Sequence, residues 1–391
     1  MLKYFLLLLI ISSNLIYSYP FTVPYFNEEF FLYPFLNYDQ SVEWKRVREG
    51  KLYDGSLIQM SYGSLTTYSL MNSEEVVINK EMDEDFSFRL RYRNHETRHL
   101  SYIENSISTG LVYKVNEYFK IMCEAELPYE KASIDIKPGV LFSFQSVYAY
   151  FGVNFNDILF DMKDPGEGKN NTMPLTFTTD IRFSFNRLYF FISGNYSTGI
   201  DRTWPVSSYT DVLENKNHIR NLYARIEYDL TDYLKIYSEN YWDDFYDEKE
   251  YKFSATLREN KLGGIWSLNS ANILDLGLGI ANTAHDFDVI KGKTKSYTIN
   301  YTALLPWLLY NYKIDEKLTI QSGYMASYTI GESDDNHYYL MNKNYYYWDK
   351  ELIKLGLEYR FSPNSSLYIS AGQLINTGTF GGGNARFNLF F

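Results

Sequence analysis

The chain has a single cysteine in 391 residues, Cys123, so it can be neither a disulfide-stapled domain nor a cysteine-based zinc or iron–sulfur protein. It also has no basic excess. Lys and Arg number 37 against 48 Asp and Glu, a net charge of −11, which argues against a nucleic-acid partner, since such proteins carry a basic face. Beyond residue 18 there is no long hydrophobic run. A membrane helix needs roughly 20 consecutive apolar residues, and the longest candidate, residues 303–309, is short and interrupted by Pro306. Mean hydropathy is accordingly negative, −0.33. Aromatic residues, by contrast, are abundant. With 39 Tyr, 27 Phe and 6 Trp they make up 18% of the chain, far more than a disordered chain carries.

The first 18 residues read as an export signal. Met1-Leu2-Lys3 supplies a positive start, the stretch from Tyr4 to Ile11 is apolar, and small or polar residues follow up to Ser18. No cysteine lies near the expected cleavage site, which excludes a lipoprotein anchor. Residues 19–40 form an aromatic and proline-rich lead-in, with Phe21, Tyr25, Phe26, Phe30 and Phe31 among Pro20, Pro24 and Pro34. Three placements are open for it: an irregular approach to the first strand, a position along the mouth, or a partial constriction of a lumen. It is too short for a plug domain.

From residue 41 to 391 the pattern has period two, which places successive side chains on opposite faces of a strand. Phe86, Phe88, Leu90 and Tyr92 share one face, and Ser87, Arg89, Arg91 and Arg93 the other. Leu175, Phe177, Thr179, Ile181 and Phe183 alternate with Thr176, Thr178, Asp180 and Arg182. Leu274, Leu276, Leu278 and Ile280 alternate with Asp275, Gly277 and Gly279. A helix would need apolar residues at i, i+3 and i+4. The fold class is therefore all-β.

The turns recur too. Tyr113-Lys-Val-Asn-Glu-Tyr-Phe-Lys-Ile121 matches Tyr228-Asp-Leu-Thr-Asp-Tyr-Leu-Lys-Ile236, and Tyr312-Lys-Ile-Asp-Glu-Lys-Leu-Thr-Ile320 is a third copy. A longer fourth surrounds Ser362-Pro363-Asn364. A tighter form occurs at residues 142–148 and 183–189, and further candidates fall at 82–85 and 269–272. Each sets turn-forming Asn, Asp, Ser or Thr between alternating strands, a hairpin signal. Eight such turns imply 18 strands, or 16 if the stretch from Asp39 to Lys80 divides differently. Tyr113, Tyr228, Tyr312 and Tyr359 sit beside the turns, where the aromatic girdle of a membrane barrel belongs.

The chain ends Asn384-Ala-Arg-Phe-Asn-Leu-Phe-Phe391, with Phe387, Leu389 and Phe391 on one face. This ending resembles the C-terminal signature of Gram-negative outer-membrane β-barrels. The resemblance implies an antiparallel up-and-down barrel in the cell outer membrane, and the turn count makes it one of about 16–18 strands. It further implies recognition by the barrel-assembly machinery through those three residues, and contact with outer-membrane lipid and lipopolysaccharide. A homo-oligomer is left open. Closure follows physically, because lipid cannot hydrogen-bond an open sheet edge. A barrel of ~16–18 strands encloses an aqueous lumen, so the expected function is that of a porin-like channel for small hydrophilic solutes, with no cofactor and no metal.

The row Arg89, Arg91, Arg93 resembles the basic ladders of porin walls, and Glu104, Glu124 and Glu126 are its acidic candidates in neighbouring strands. Wall-to-wall ion pairing without a selectivity role is the competing reading of the same charges. A surface protein with ligand-binding or hydrolytic outer loops is the alternative function. Asp286-Phe-Asp288 and Asp335-Asn-His337, expected in successive outer loops, resemble the paired motif of the omptin proteases, in which Asp–Asp and Asp–His pairs position a water and the His acts as base. That resemblance covers only these positions. Omptins have ten strands and wider motif spacing, and their flanking residues do not match, so no enzyme activity is expected. Cys123 shares a face with Phe119, Ile121, Ala125 and Leu127 and reads as a small lipid-facing hydrophobe.

Overall fold

The computed structural model describes residues 56–66, 69–97, 102–128, 134–156, 169–170, 175–205, 212–248, 251–289, 297–330, 333–334, 350–375, 378 and 380–391. The export signal, the aromatic lead-in and residues 41–55 lie outside the described residues. All regular structure among the described residues is β. The wall strands are β1 (Leu57–Thr66), β2 (Ser69–Glu81), β3 (Phe86–Thr97), β4 (Tyr102–Lys114), β5 (Phe119–Pro128), β6 (Asp135–Phe144), β7 (Val147–Phe155), β8 (Leu175–Phe185) and β9 (Leu188–Ser197). They continue with β10 (Val212–Asp229), β11 (Leu234–Glu248), β12 (Tyr251–Ser267), β13 (Asn272–Val289), β14 (Tyr297–Lys313), β15 (Leu318–Ile330), β16 (Lys350–Ser362), β17 (Ser365–Leu374) and β18 (Phe380–Phe390). Three short pieces, Lys169–Asn170, Ile200–Pro205 and Ser333–Asp334, extend the ladder at the end away from the short turns.

Each strand pairs antiparallel with the next, and β1 pairs with β18 from Leu57↔Phe390 to Ser64↔Gly383. The seam is locked by reciprocal backbone bonds of 2.9 Å between Ser56 and Phe391. The sheet is thus a closed barrel of 18 strands, which decides the count in favour of the larger number. Closure leaves no sheet edge unpaired. Among the described residues no helix is long and apolar enough to cross a membrane; the crossing is made by strands.

All eight short turns stand where the sequence repeat placed them, and their chemistry explains the repeat. The Asp315 carboxylate accepts from the N–H groups of Lys317 (2.7 Å) and Leu318 (2.8 Å). Asp83 does the same for Asp85 and Phe86, Asn269 for Ala271 and Asn272, and the Thr231 hydroxyl for Tyr233 and Leu234. Asn116 accepts from Tyr118. One side-chain oxygen at one turn position thus satisfies backbone donors that the ladder leaves over. The two tighter turns use positive φ at Gln145 (47°) and Asn186 (51°), the left-handed conformation that two-residue hairpins require.

The faces segregate as the alternation required. Phe86, Phe88, Leu90, Leu111, Phe151, Phe177, Ile226, Leu276, Leu278 and Leu357 are all exposed on the outside. Tyr113, Tyr228, Tyr312 and Tyr359 are likewise exposed beside the turns, forming one girdle of the apolar belt. Cys123 is exposed between Ile121 and Leu127 on the same face. Arg89, Glu124, Asp180, Arg182, Arg225, Glu227, Asp275, Lys354 and Glu358 are buried on the inside. The inner wall also carries flat-lying aromatic rings. Tyr150 lies over Gly139 of the adjacent β6, where a Cβ would come within 2.7 Å of the ring, and Trp307 covers Gly277 so closely that a Cβ could not be inserted. These glycines leave the hollows into which the rings settle.

Candidate functional site: the charged inner wall

The inner wall is built from strand residues whose positions follow from the hairpin registers. On β3, the Arg89 Nε lies 2.8 Å from a Glu124 oxygen on β5, and both side chains are less than a tenth exposed. Arg91 lies 2.6 Å from Glu75 on β2, and Arg93 lies 3.8 Å from the same carboxylate. Arg91, Glu75 and Arg93 keep 19%, 25% and 28% of their side-chain surface open. The row therefore divides into a sealed pair, Arg89–Glu124, and an accessible triad, Arg91–Glu75–Arg93. Glu126 accepts a hydrogen bond from Ser106 and an ion pair from Lys137. Glu104 stands on β4 opposite His95, and its side chain lies outside the described residues.

A second and larger cluster crosses β10 to β14. Arg225 is 1% exposed, with its Nε 2.6 Å from Glu227 and a further pair to Glu239. Its guanidinium sits over the Tyr237 ring, 4.3 Å from the centroid. Lys235 supports Glu227 at 3.1 Å, and Lys261 lies 4.0 Å from Glu239 while pairing with Glu259. The Tyr223 hydroxyl donates to Glu239 (3.0 Å), and the Tyr237 hydroxyl (2.8 Å) and Trp307 indole (3.0 Å) both donate to Asp275. Smaller units repeat the theme. Arg182 pairs with Asp180 at 2.8 Å and lies against the Tyr148 and Phe191 rings, and Arg360 lies 3.4 Å from Glu358.

This arrangement balances charge locally. Each of these guanidinium groups faces a carboxylate from its own strand, the adjacent strand or, for Arg89, the next strand but one, so among the described residues positive and negative side chains alternate along the wall. Sequence reasoning placed the Arg row, Glu124 and Glu126 on the inner face, together with Asp180 and Asp275. It missed Glu75 as the partner of Arg91 and Arg93, and it missed Glu239 and Lys261 at the centre of the larger cluster. The signal for Glu75 existed: about the turn at Asp83–Asp85, antiparallel pairing sets Glu75 opposite Arg93.

Asp286 and Asp288 do not stand in a loop, contrary to the sequence expectation. They belong to the far end of β13, opposite Ser254 and Lys252 of β12, because these strands run 17 and 18 residues, well past the apolar belt. Asp335 and His337 lie outside the described residues. Among the described residues no three His, Cys, Asp or Glu side chains gather as metal ligands would.

No family model matches the chain, and no curated protein matches it. Among solved structures, the chain is similar to a loop-deletion form of OmpT, an outer membrane protein of Vibrio cholerae. The identity is 11% and the TM-score 0.39, over 86% of this chain and 98% of that one. The outer membrane channel DcaP of Acinetobacter baumannii aligns at 8% identity and a TM-score of 0.38, over 86% and 96% of the two chains. A mutant porin of Rh. blastica aligns at 8% identity and a TM-score of 0.36, over 86% and 99%. The closed 18-strand sheet and its outward apolar belt, taken on their own physics, make this chain an outer-membrane β-barrel.

Proposed function

We propose that the protein is a passive channel through the outer membrane for small hydrophilic solutes. The observation that carries this reading is the closed barrel of 18 strands with a polar inner wall, since barrels of 16–18 strands leave an aqueous passage whereas ~8 strands are filled by their own side chains. The paired wall charges favour a passage of modest ion selectivity. Within it, Arg91, Arg93 and Glu75 are the groups a solute would meet, while Arg89 and Glu124 hold the wall together. Transport needs no cofactor on this reading, and discrimination comes from width and from the local field of the accessible triad. Swelling of proteoliposomes in small sugars tests it. Uptake that falls with solute size is expected, and liposomes that remain impermeable to the smallest sugars would reject the channel.

A further inference from the structure

The outer surface is not uniformly convex. A groove of about 650 Å³ crosses it from β5 to β11, walled by Val140, Phe151, Phe177, Tyr196 and Leu222, with Thr179 in its floor and Trp242 at its far end. Its walls belong to the lipid-facing belt and are exposed. At the end away from the short turns the chemistry changes. The Arg220 guanidinium lies over the Tyr196 ring, 4.7 Å from the centroid, and its Nε donates to the Ser197 carbonyl at 3.3 Å. Arg258, directly across from Trp242 on β12, is exposed and makes no ion pair among the described residues. Asp244 is the carboxylate that the described side chains place in this group. One of its oxygens lies 3.0 Å from the His218 ring and 3.8 Å from Arg220, and the other accepts from Thr256 at 3.1 Å. Among the described side chains two guanidinium groups stand here against one carboxylate, a local positive excess on a chain whose net charge is −11.

We infer that this groove and rim bind one acylated, phosphate-bearing lipid of the outer leaflet. An acyl chain would lie along the apolar walls, and the phosphate would meet Arg220 and Arg258. Three features select this occupant. The groove opens to the bilayer and not to the lumen or to water. Its walls are almost wholly apolar, as a hydrocarbon chain requires. Its guanidinium-bearing rim stands at the end opposite the short turns, where the outer-leaflet headgroups lie, and guanidinium is the group best suited to phosphate. The inference concerns the outside of the barrel and does not rest on the channel reading, so conductance and lipid binding fail or succeed separately.

The test uses the full-length protein purified in detergent, stripped of lipid, and mixed with a phosphorylated disaccharide lipid or its dephosphorylated form. Retention is read by native mass spectrometry, with heat-modifiable gel mobility showing that each variant is folded. Wild type should retain the phosphorylated lipid at least about tenfold more tightly than the dephosphorylated one, the scale of one lost charge-assisted contact. The double variant Arg220→Ala, Arg258→Ala should lose that preference. Thr179→Trp, which fills the floor without changing charge, should weaken retention of both lipids. Equal retention of the two lipids by wild type would overturn the inference, as would variants that bind like wild type. Displacement of the lipid by millimolar inorganic phosphate alone would also overturn it, because the acyl chain would then contribute nothing.

Discussion

Replacing Arg225 by Met separates a wall held by ion pairs from one in which the charges are incidental. The side chain is 1% exposed, and its loss leaves Glu227 and Glu239 without their shared counter-charge. Removing one partner of a buried pair costs ~3–5 kcal/mol, because the remaining charge is left uncompensated. Here the residual support is unequal. Glu227 keeps Lys235 at 3.1 Å, whereas Glu239 keeps Lys261 only at 4.0 Å along with the Tyr223 hydroxyl at 3.0 Å. The expected loss is therefore at the lower end, about 3 kcal/mol. Most of it should be recovered by adding Glu239→Gln, which neutralises the poorly supported carboxylate while keeping its shape and its bond to Tyr223. Equilibrium denaturant unfolding of the barrel refolded into lipid vesicles, followed by tryptophan emission and by gel mobility, measures both variants. A loss below about 1 kcal/mol for Arg225→Met, or a double variant no more stable than the single one, would refute the argument that this network is a buried structural brace.

The other expectations are briefer. Arg91→Ala with Arg93→Ala should shift the reversal potential toward cations with little change in stability, because both side chains are partly open; an unchanged reversal potential would show that the triad is not at the solute path. Gly277→Ala should destabilise the barrel by ~1–3 kcal/mol, the usual cost of overpacking, since a Cβ there meets the Trp307 ring; wild-type stability would mean that the ring is free to move. The Asp315 carboxyl is held below its ordinary range by the Lys317 and Leu318 amides. Its contribution to the turn is thus present above the unfolded carboxylate value, ~3.9, and lost as pH falls through the lower folded value. Asp315→Ala should be less stable than wild type at neutral pH and should converge with it in acid, and parallel pH curves would contradict this. Peptide cleavage should be absent in wild type and in His337→Ala alike, and a cleavage that depends on His337 would revive the hydrolytic alternative.

The fold was largely legible because period-two alternation and turn chemistry are local signals. Phe86 to Arg93 assigns its own inner and outer faces, and the recurring Asp, Asn or Thr of each turn marks a strand end without knowledge of its partners. The ion-pair partners were less legible, because they depend on register. Glu75 sits in a stretch with weaker alternation, and Glu239 and Lys261 join Arg225 only once three strands are aligned. The outer end of the wall was misread for a related reason. Above the belt the outward positions become polar, as at Arg220, Arg258 and Asn282, so Asp286 and Asp288 look like loop residues although they still belong to a strand. The lipid-facing groove had no sequence signature at all, since it arises from small residues on adjacent strands, Thr179 and Gly194 among them, that are distant along the chain.

Single-channel recording across a planar lipid bilayer tests the central claim most directly. The purified full-length barrel, confirmed as folded by heat-modifiable mobility, should insert in discrete steps of reproducible conductance with only modest selectivity between anions and cations. A folded barrel that inserts into the bilayer yet passes no measurable current would contradict the proposed function.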